Sequence, residues 1–175
     1  MLYTIGHSTH PLEEFAALLQ EHGVDLLLDI RTVPRSRTNP QFNLDALPTA
    51  LAPYQIGYEH LAALGGLRGR QRALPTSPNT FWENQSFRNY ADYALTPAFR
   101  DGLARLRHIG TRQRTAFMCA EAVWWRCHRR IIADYLLADG EAVFHILGPG
   151  SIKPATLTPS ARRVAEGLVY DGTEE

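Results

Sequence analysis

Val24-Asp25-Leu26-Leu27-Leu28-Asp29-Ile30-Arg31 is a continuously apolar run bounded by polar residues, as expected of a strand covered on both faces. Upstream, Leu2-Tyr3-Thr4-Ile5 is a second β-type run, and Gly6-His7-Ser8-Thr9 is a polar turn. Pro11 then sits where proline is tolerated, in the first turn of a helix. Leu12, Phe15, Ala16 and Leu19 share one face of that helix, Glu13 and Glu14 suit its positive end, and Gly23 stops it. The unit is strand, helix, strand, and its strands are therefore expected to be parallel.

The remainder extends the pattern. Thr32 to Asn43 has little apolar periodicity and reads as a long loop, Leu44 to Tyr54 as a modest helix broken near Pro53, and Ile56 to Leu61 as a short strand. Gly65 to Arg72 reads as a flexible basic loop. Two helices, Ser86 to Leu95 and Pro97 to Ile109, precede an apolar strand that ends at Cys119. Arg130 to Gly140 is a helix closed by glycine, and Ala142 to Leu147 a final strand. The expected fold is a single α/β domain over residues 1–147, with a mainly parallel, open, Rossmann-like sheet flanked by helices. Residues 148–175 are expected to lie across the surface or fray.

The 175 residues, 45% hydrophobic and 21% charged, fit one globular domain. No run approaches the length needed to cross a bilayer, and no basic stretch followed by an apolar one opens the chain, so a soluble cytoplasmic protein is expected. In that setting the two cysteines, Cys119 and Cys127, are expected to be thiols rather than a structural disulfide. Net charge is zero, which excludes a global field towards nucleic acid or membrane and leaves only local affinity. Lys153 is the only lysine; the rest of the basic charge is arginine, the better residue for forked contacts to phosphate or carboxylate.

Chemistry-bearing residues gather where strands end. The first strand leads to His7 and Ser8, the second to Asp29 and Arg31, and a later one to Cys119-Ala120-Glu121. Parallel strands would bring all three to one sheet edge, where α/β sheets bind ligands. Arg31, Arg35 and Arg37 share a loop with Ser36 and Thr38, a set suited to an anion, although Asp29 pairing structurally with Arg31 is an equal reading. Gly65 and Gly66 would let backbone approach a ligand while Arg68 meets its charge; neither a Walker loop nor a dinucleotide fingerprint is present.

Between Cys119 and Arg129, the cysteines could act as nucleophile, as metal ligand or as small buried hydrophobes. Arginines and a helix amino end supply the field a thiolate needs. Cys119, Cys127 and His128 give only three zinc ligands at an unfamiliar spacing, so no metal is expected. Arg126 lies seven positions after Cys119, too far for the phosphatase cradle.

Together Thr4-Ile-Gly-His7-Ser8, Asp29-Ile-Arg31-x-x-Pro34-x-Ser36-Arg37, His60-x-x-x-Leu64-Gly65-Gly66-x-Arg68, Phe87-x-x-Tyr90-Ala91 and Cys119-Ala-Glu121 with Cys127-His128-Arg129 resemble the bacterial and archaeal family called domain of unknown function 488. The resemblance implies a compact α/β domain with its signature residues in one place; it implies no reaction. Where relatives often have proline after Cys-Ala-Glu, this chain has Trp124-Trp125. The expected function is an enzyme with a cleft for a small anionic, phosphate-bearing ligand, such as a nucleotide or a nucleic-acid end. Ser8, Asp29, Arg31, Arg35, Arg37, Gly65, Gly66, Arg68, Cys119 and Arg129 are its candidate ligand-binding residues. His7, Glu121, Cys127 and His128 are its candidate catalytic residues, with Glu121 orienting a histidine or a water. No motif names a cofactor. A non-catalytic nucleic-acid-binding module and a thiol-dependent, sulfurtransferase-like enzyme are the alternatives.

Overall fold

The computed structural model describes residues 1–172. In chain order the elements are β1 (Leu2–Gly6), α1 (Leu12–Glu21), β2 (Leu26–Asp29), α2 (Leu47–Leu51), β3 (Gly57–His60), α3 (Gln85–Tyr93), α4 (Pro97–Gly110), β4 (Thr115–Cys119), α5 (Arg129–Ala138), β5 (Val143–Gly148), β6 (Ser151–Pro154), β7 (Ala161–Val164) and β8 (Gly167–Tyr170). Six strands form one sheet in the order β3-β2-β4-β1-β5-β6. All its pairings are parallel except β5 with β6. The chain is thus a mixed α/β domain with a mostly parallel sheet flanked by helices.

Alternation along the strands splits the core into two layers. Tyr3, Ile5, Leu27, Ala116 and Met118 pack with Phe15, Ala16 and Leu19 of α1 and with Leu47 and Leu51 of α2. Leu2, Leu26, Leu28, Phe117 and Cys119 pack on the other side with Phe99, Leu103 and Leu106 of α4 and with Ile132 and Leu136 of α5. Each fully buried Leu, Ile, Phe or Met among them contributes about 1.5–3 kcal/mol relative to exposure, so these layers hold the helices in place. The first helix ends as its glycine requires: Gly23 takes φ 68°, its N–H bonds the Gln20 carbonyl, and the Val24 N–H bonds that of Leu19. That closure feeds the chain directly into β2.

The second strand is shorter than its apolar run, with Ile30 buried beyond the last paired residue. Residues past Leu147 hold more structure than the sequence pattern suggested, which made Ala142 to Leu147 the final strand. A tight turn adds β6 as an antiparallel edge, and β7 and β8 form a separate two-stranded sheet. Leu168 and Tyr170 enter the α4/α5 layer, where the Tyr170 hydroxyl donates to Asp134 at 2.8 Å and the Tyr135 hydroxyl accepts the Leu168 N–H at 3.0 Å. Of the extension expected to cross the surface or fray, residues 173–175 lie outside the described residues. Among the described residues no helix is long and apolar enough to cross a membrane.

The register decides where function can sit. Gly6 pairs with Cys119, and Asp29 pairs with both Met118 and His60. The carboxyl ends of four adjacent strands therefore finish level with one another.

Candidate functional site

A cavity of about 410 Å³ opens at that edge. His7, Arg31, Arg35, Gly66, Cys119, Glu121, Cys127 and His128 line it, joined by Arg126 and by an apolar wall of Val33, Leu67, Phe87 and Tyr90. Segments that begin at His7, Arg31 and Cys119 meet here because their strands are parallel and end in register.

Two histidines are fixed as neutral rings. His7 Nδ1 donates to the Ser8 carbonyl at 2.8 Å, leaving Nε2 to accept from Arg31 Nη1 at 3.4 Å, and its ring stacks on Phe42. Burial holds its pKa below the ordinary value, against the Ser8 carbonyl and reinforced by Arg31. His128 Nε2 donates to the Ile30 carbonyl at 2.9 Å, so its Nδ1 carries a lone pair that faces Cys127 Sγ at 3.4 Å. Burial lowers its pKa too, although Cys119 and the Ile30 carbonyl oppose the shift.

The thiols form the floor. Cys119 and Cys127 are free, only 3% and 5% exposed, with sulfurs 2.7 Å apart. Cys127 immediately precedes the N-cap of α5, and the Arg129 N–H donates to its sulfur at 3.4 Å. Arg129, 1% exposed, donates its Nε to Cys119 Sγ at 3.0 Å, Nη1 to Thr4 Oγ1 at 3.0 Å and Nη2 to the Glu121 carbonyl at 2.6 Å. Among the described residues no carboxylate pairs with this guanidinium. Its nearest source of negative charge is the cysteine pair. Burial alone would raise the Cys127 thiol, but the hydrogen bond shared with Cys119 and the charge and N–H of Arg129 outweigh it and bring the pKa to about 7. Burial and the neighbouring sulfur push Cys119 well up. Within the pair, negative charge is therefore favoured on Cys127 over Cys119.

Several expected ligand contacts are redirected. Arg129 does not reach the cavity, because its donors are consumed in the wall. Arg31 is a structural partner first: Nε and Nη2 fork onto Asp29 at 2.9 and 2.7 Å, and Nη2 also meets the Phe42 carbonyl, leaving Nη1 towards the cavity. Asp29 is fully buried and holds Arg31 and Tyr58. Arg68 lies over the Tyr93 ring at 3.9 Å and donates to the Ala62 and Gly65 carbonyls, closing a short 3-10 turn. Arg37 is exposed and does not line the cavity, and Ser8 contributes turn geometry at φ 47°. Glu121 lines the cavity, and one oxygen of its carboxylate accepts the Val123 N–H at 3.0 Å. Gly65 and Gly66 serve packing: a Cβ on the first would lie 2.5 Å from Thr32 Oγ1, and on the second 2.5 Å from His128 Nδ1.

Arg35 and Arg126 remain as exposed lining arginines without a carboxylate partner among the described residues. Arg126, Phe87 and Tyr90 were not among the expected site residues; the spacing Phe87-x-x-Tyr90 places the latter two on one helical face, which is their signal in the sequence. Thr4 and His145 were also missed. The Thr4 hydroxyl, receiving Arg129, donates onward to His145 Nδ1 at 2.7 Å, and the His145 ring stacks on Trp124 at 4.4 Å.

That last contact has a pH signature. Burial, then the charges of Arg129 and Lys153, lowers the His145 pKa from 6.5 to about 3. The folded pKa lies below the unfolded one, so the neutral ring's contribution is complete above pH 6.5 and is lost as pH falls towards 3. The melting temperature should decline from pH 6.5 downwards. His145→Asn, which keeps an acceptor for Thr4 and does not titrate, should flatten this decline; an unaltered acid slope would remove His145 as its cause.

The family model for "Domain of unknown function DUF488" matches residues 11–136, which carry Asp29, Arg31, Cys119, Cys127 and Arg129 and stop short of His145. No curated protein and no solved structure matches the chain. With the match covering most of its length, the chain belongs to the DUF488 family.

Proposed function

We propose that the chain is a cysteine-based enzyme in which the Cys127 thiolate attacks a small substrate bound in the cavity through an anionic group. One observation carries this reading: a buried guanidinium whose partners are a cysteine sulfur, a hydroxyl and carbonyls rather than a carboxylate. Arginine stays charged even when buried, so a site built this way favours negative charge on the sulfurs beside it. His128 Nδ1 faces the Cys127 sulfur with its lone pair and takes the thiol proton, while the start of α5 adds its N–H. The anion-binding part rests on Arg35 and Arg126, with Ser36 and Ser86 hydroxyls in the same lining. A cysteine pair that works as thiols fits a reducing compartment such as the cytoplasm.

Alkylation by iodoacetamide tests the thiolate. In Cys119→Ser, whose hydroxyl keeps a donor beside Cys127, the rate should rise with a midpoint near pH 7. In Cys127→Ser, Cys119 should react slowly throughout the neutral range. Inorganic phosphate should slow the reaction at Cys127, and Arg35→Ala with Arg126→Ala should remove that protection. A Cys127 titration near the ordinary thiol value of about 8.5 would leave the nucleophile without support.

A further inference from the structure

We propose that the substrate is the disulfide of a small anionic thiol, reduced by Cys127 with Cys119 as the resolving thiol. The inference rests on Cys127 being the nucleophile and adds the substrate's chemical class.

One feature selects sulfur over acyl or phosphoryl groups: Cys119 sits 2.7 Å from the Cys127 sulfur and lines the same cavity. A second thiol in contact does nothing for hydrolysis, whereas a mixed disulfide is released by another thiol. Val33, Leu67, Phe87 and Tyr90 suit the apolar sulfur bridge, and the Arg35 and Arg126 guanidinia suit the carboxylates of an acidic thiol compound.

The steps balance. Cys127 thiolate attacks one sulfur of the substrate R–S–S–R; the Cys127–S–S–R bond forms, the substrate's own S–S bond breaks, and RS⁻ departs. Cys119 gives its proton to that RS⁻ and attacks the Cys127 sulfur. The Cys119–Cys127 bond forms as the mixed disulfide breaks and releases the second RS⁻. The substrate gains two electrons, the cysteine pair loses two, and a dithiol reductant returns the pair to its starting state.

The reduced full-length chain is mixed with oxidised glutathione as the probe and followed by intact mass. The wild type should end as the intramolecular disulfide with two equivalents of glutathione released, Cys119→Ser should stop with one glutathionyl group attached, and Cys127→Ser should acquire neither. The uncharged 2-hydroxyethyl disulfide should react about tenfold more slowly than oxidised glutathione, the minimum for one lost charge-assisted hydrogen bond, and Arg35→Ala with Arg126→Ala should erase the difference. Fast alkylation of Cys127 at pH 6 without glutathionylation of Cys119→Ser overturns the disulfide class and leaves the nucleophile standing. Slow alkylation together with no glutathionylation overturns both. A wild type that keeps its glutathionyl group overturns the resolving role of Cys119.

Discussion

Asp29→Ala should destabilise the chain by about 3–5 kcal/mol, because it strands a charge rather than removing a contact. Asp29 is fully buried and accepts the Arg31 N–H, its Nε and Nη2, and the Tyr58 hydroxyl. Arg31 is only 7% exposed, so after the substitution its guanidinium would keep the Phe42 carbonyl and a long contact to His7, with no counter-charge. For a chain of this size the loss corresponds to a fall in melting temperature on the order of 10 °C. Urea denaturation of Asp29→Ala, Arg31→Met and the double variant measures it. The double variant should recover much of the loss, since an apolar pair of suitable volume carries no stranded charge. A double variant as unstable as Asp29→Ala would mean that the loss comes from the Tyr58 and backbone contacts and not from the ion pair.

The fold was legible where one physical rule acted alone. Residues Val24 to Arg31 could not be amphipathic and were therefore covered on both faces; with Pro11 and Gly23 framing a helix before them, parallel pairing followed. Parallel pairing in turn placed His7, Arg31 and Cys119 at one edge. What the sequence could not convey was the direction of each arginine. Arg129 turns inward because Thr4, 125 positions away, stands beside it in the fold, and Arg68 turns onto Tyr93 because α3 passes alongside. Such choices depend on long-range neighbours that no local pattern encodes. The Asp29–Arg31 pair is the instructive exception: separated by two positions, it was an open reading, and burial decided it. The last strands gave weak signals because β6 is exposed along its length and β7 and β8 are four residues each.

Arg129→Met should destabilise the fold and quench the thiolate in the same protein. The side chain makes hydrogen bonds to Cys119, Thr4 and the Glu121 carbonyl, and its loss strips these acceptors of their charged donor, a cost of about 3–5 kcal/mol. Methionine has comparable length and fills space without a charge, which limits the added penalty of a cavity. The sulfurs respond differently. With the guanidinium gone, burial dominates Cys127, whose pKa should climb from about 7 to above the ordinary thiol value of about 8.5. The sign for stability follows: a thiol whose folded pKa lies below its unfolded one makes a contribution that is complete above the unfolded value and lost as pH falls through about 7. Wild-type stability should therefore rise from pH 7 towards the unfolded thiol value of about 8.5, above which the raised Cys119 thiol acts in the opposite sense, and the Arg129→Met curve should lack that rise. Arg129→Lys keeps a charge but not the fork, so it should recover part of the thiolate and little of the stability. Melting curves and iodoacetamide rates across this range, taken on the same samples, separate the two roles: a fall in stability with an unmoved Cys127 midpoint would make Arg129 a strut of the wall and leave the low thiol pKa to the start of α5 and to Cys119.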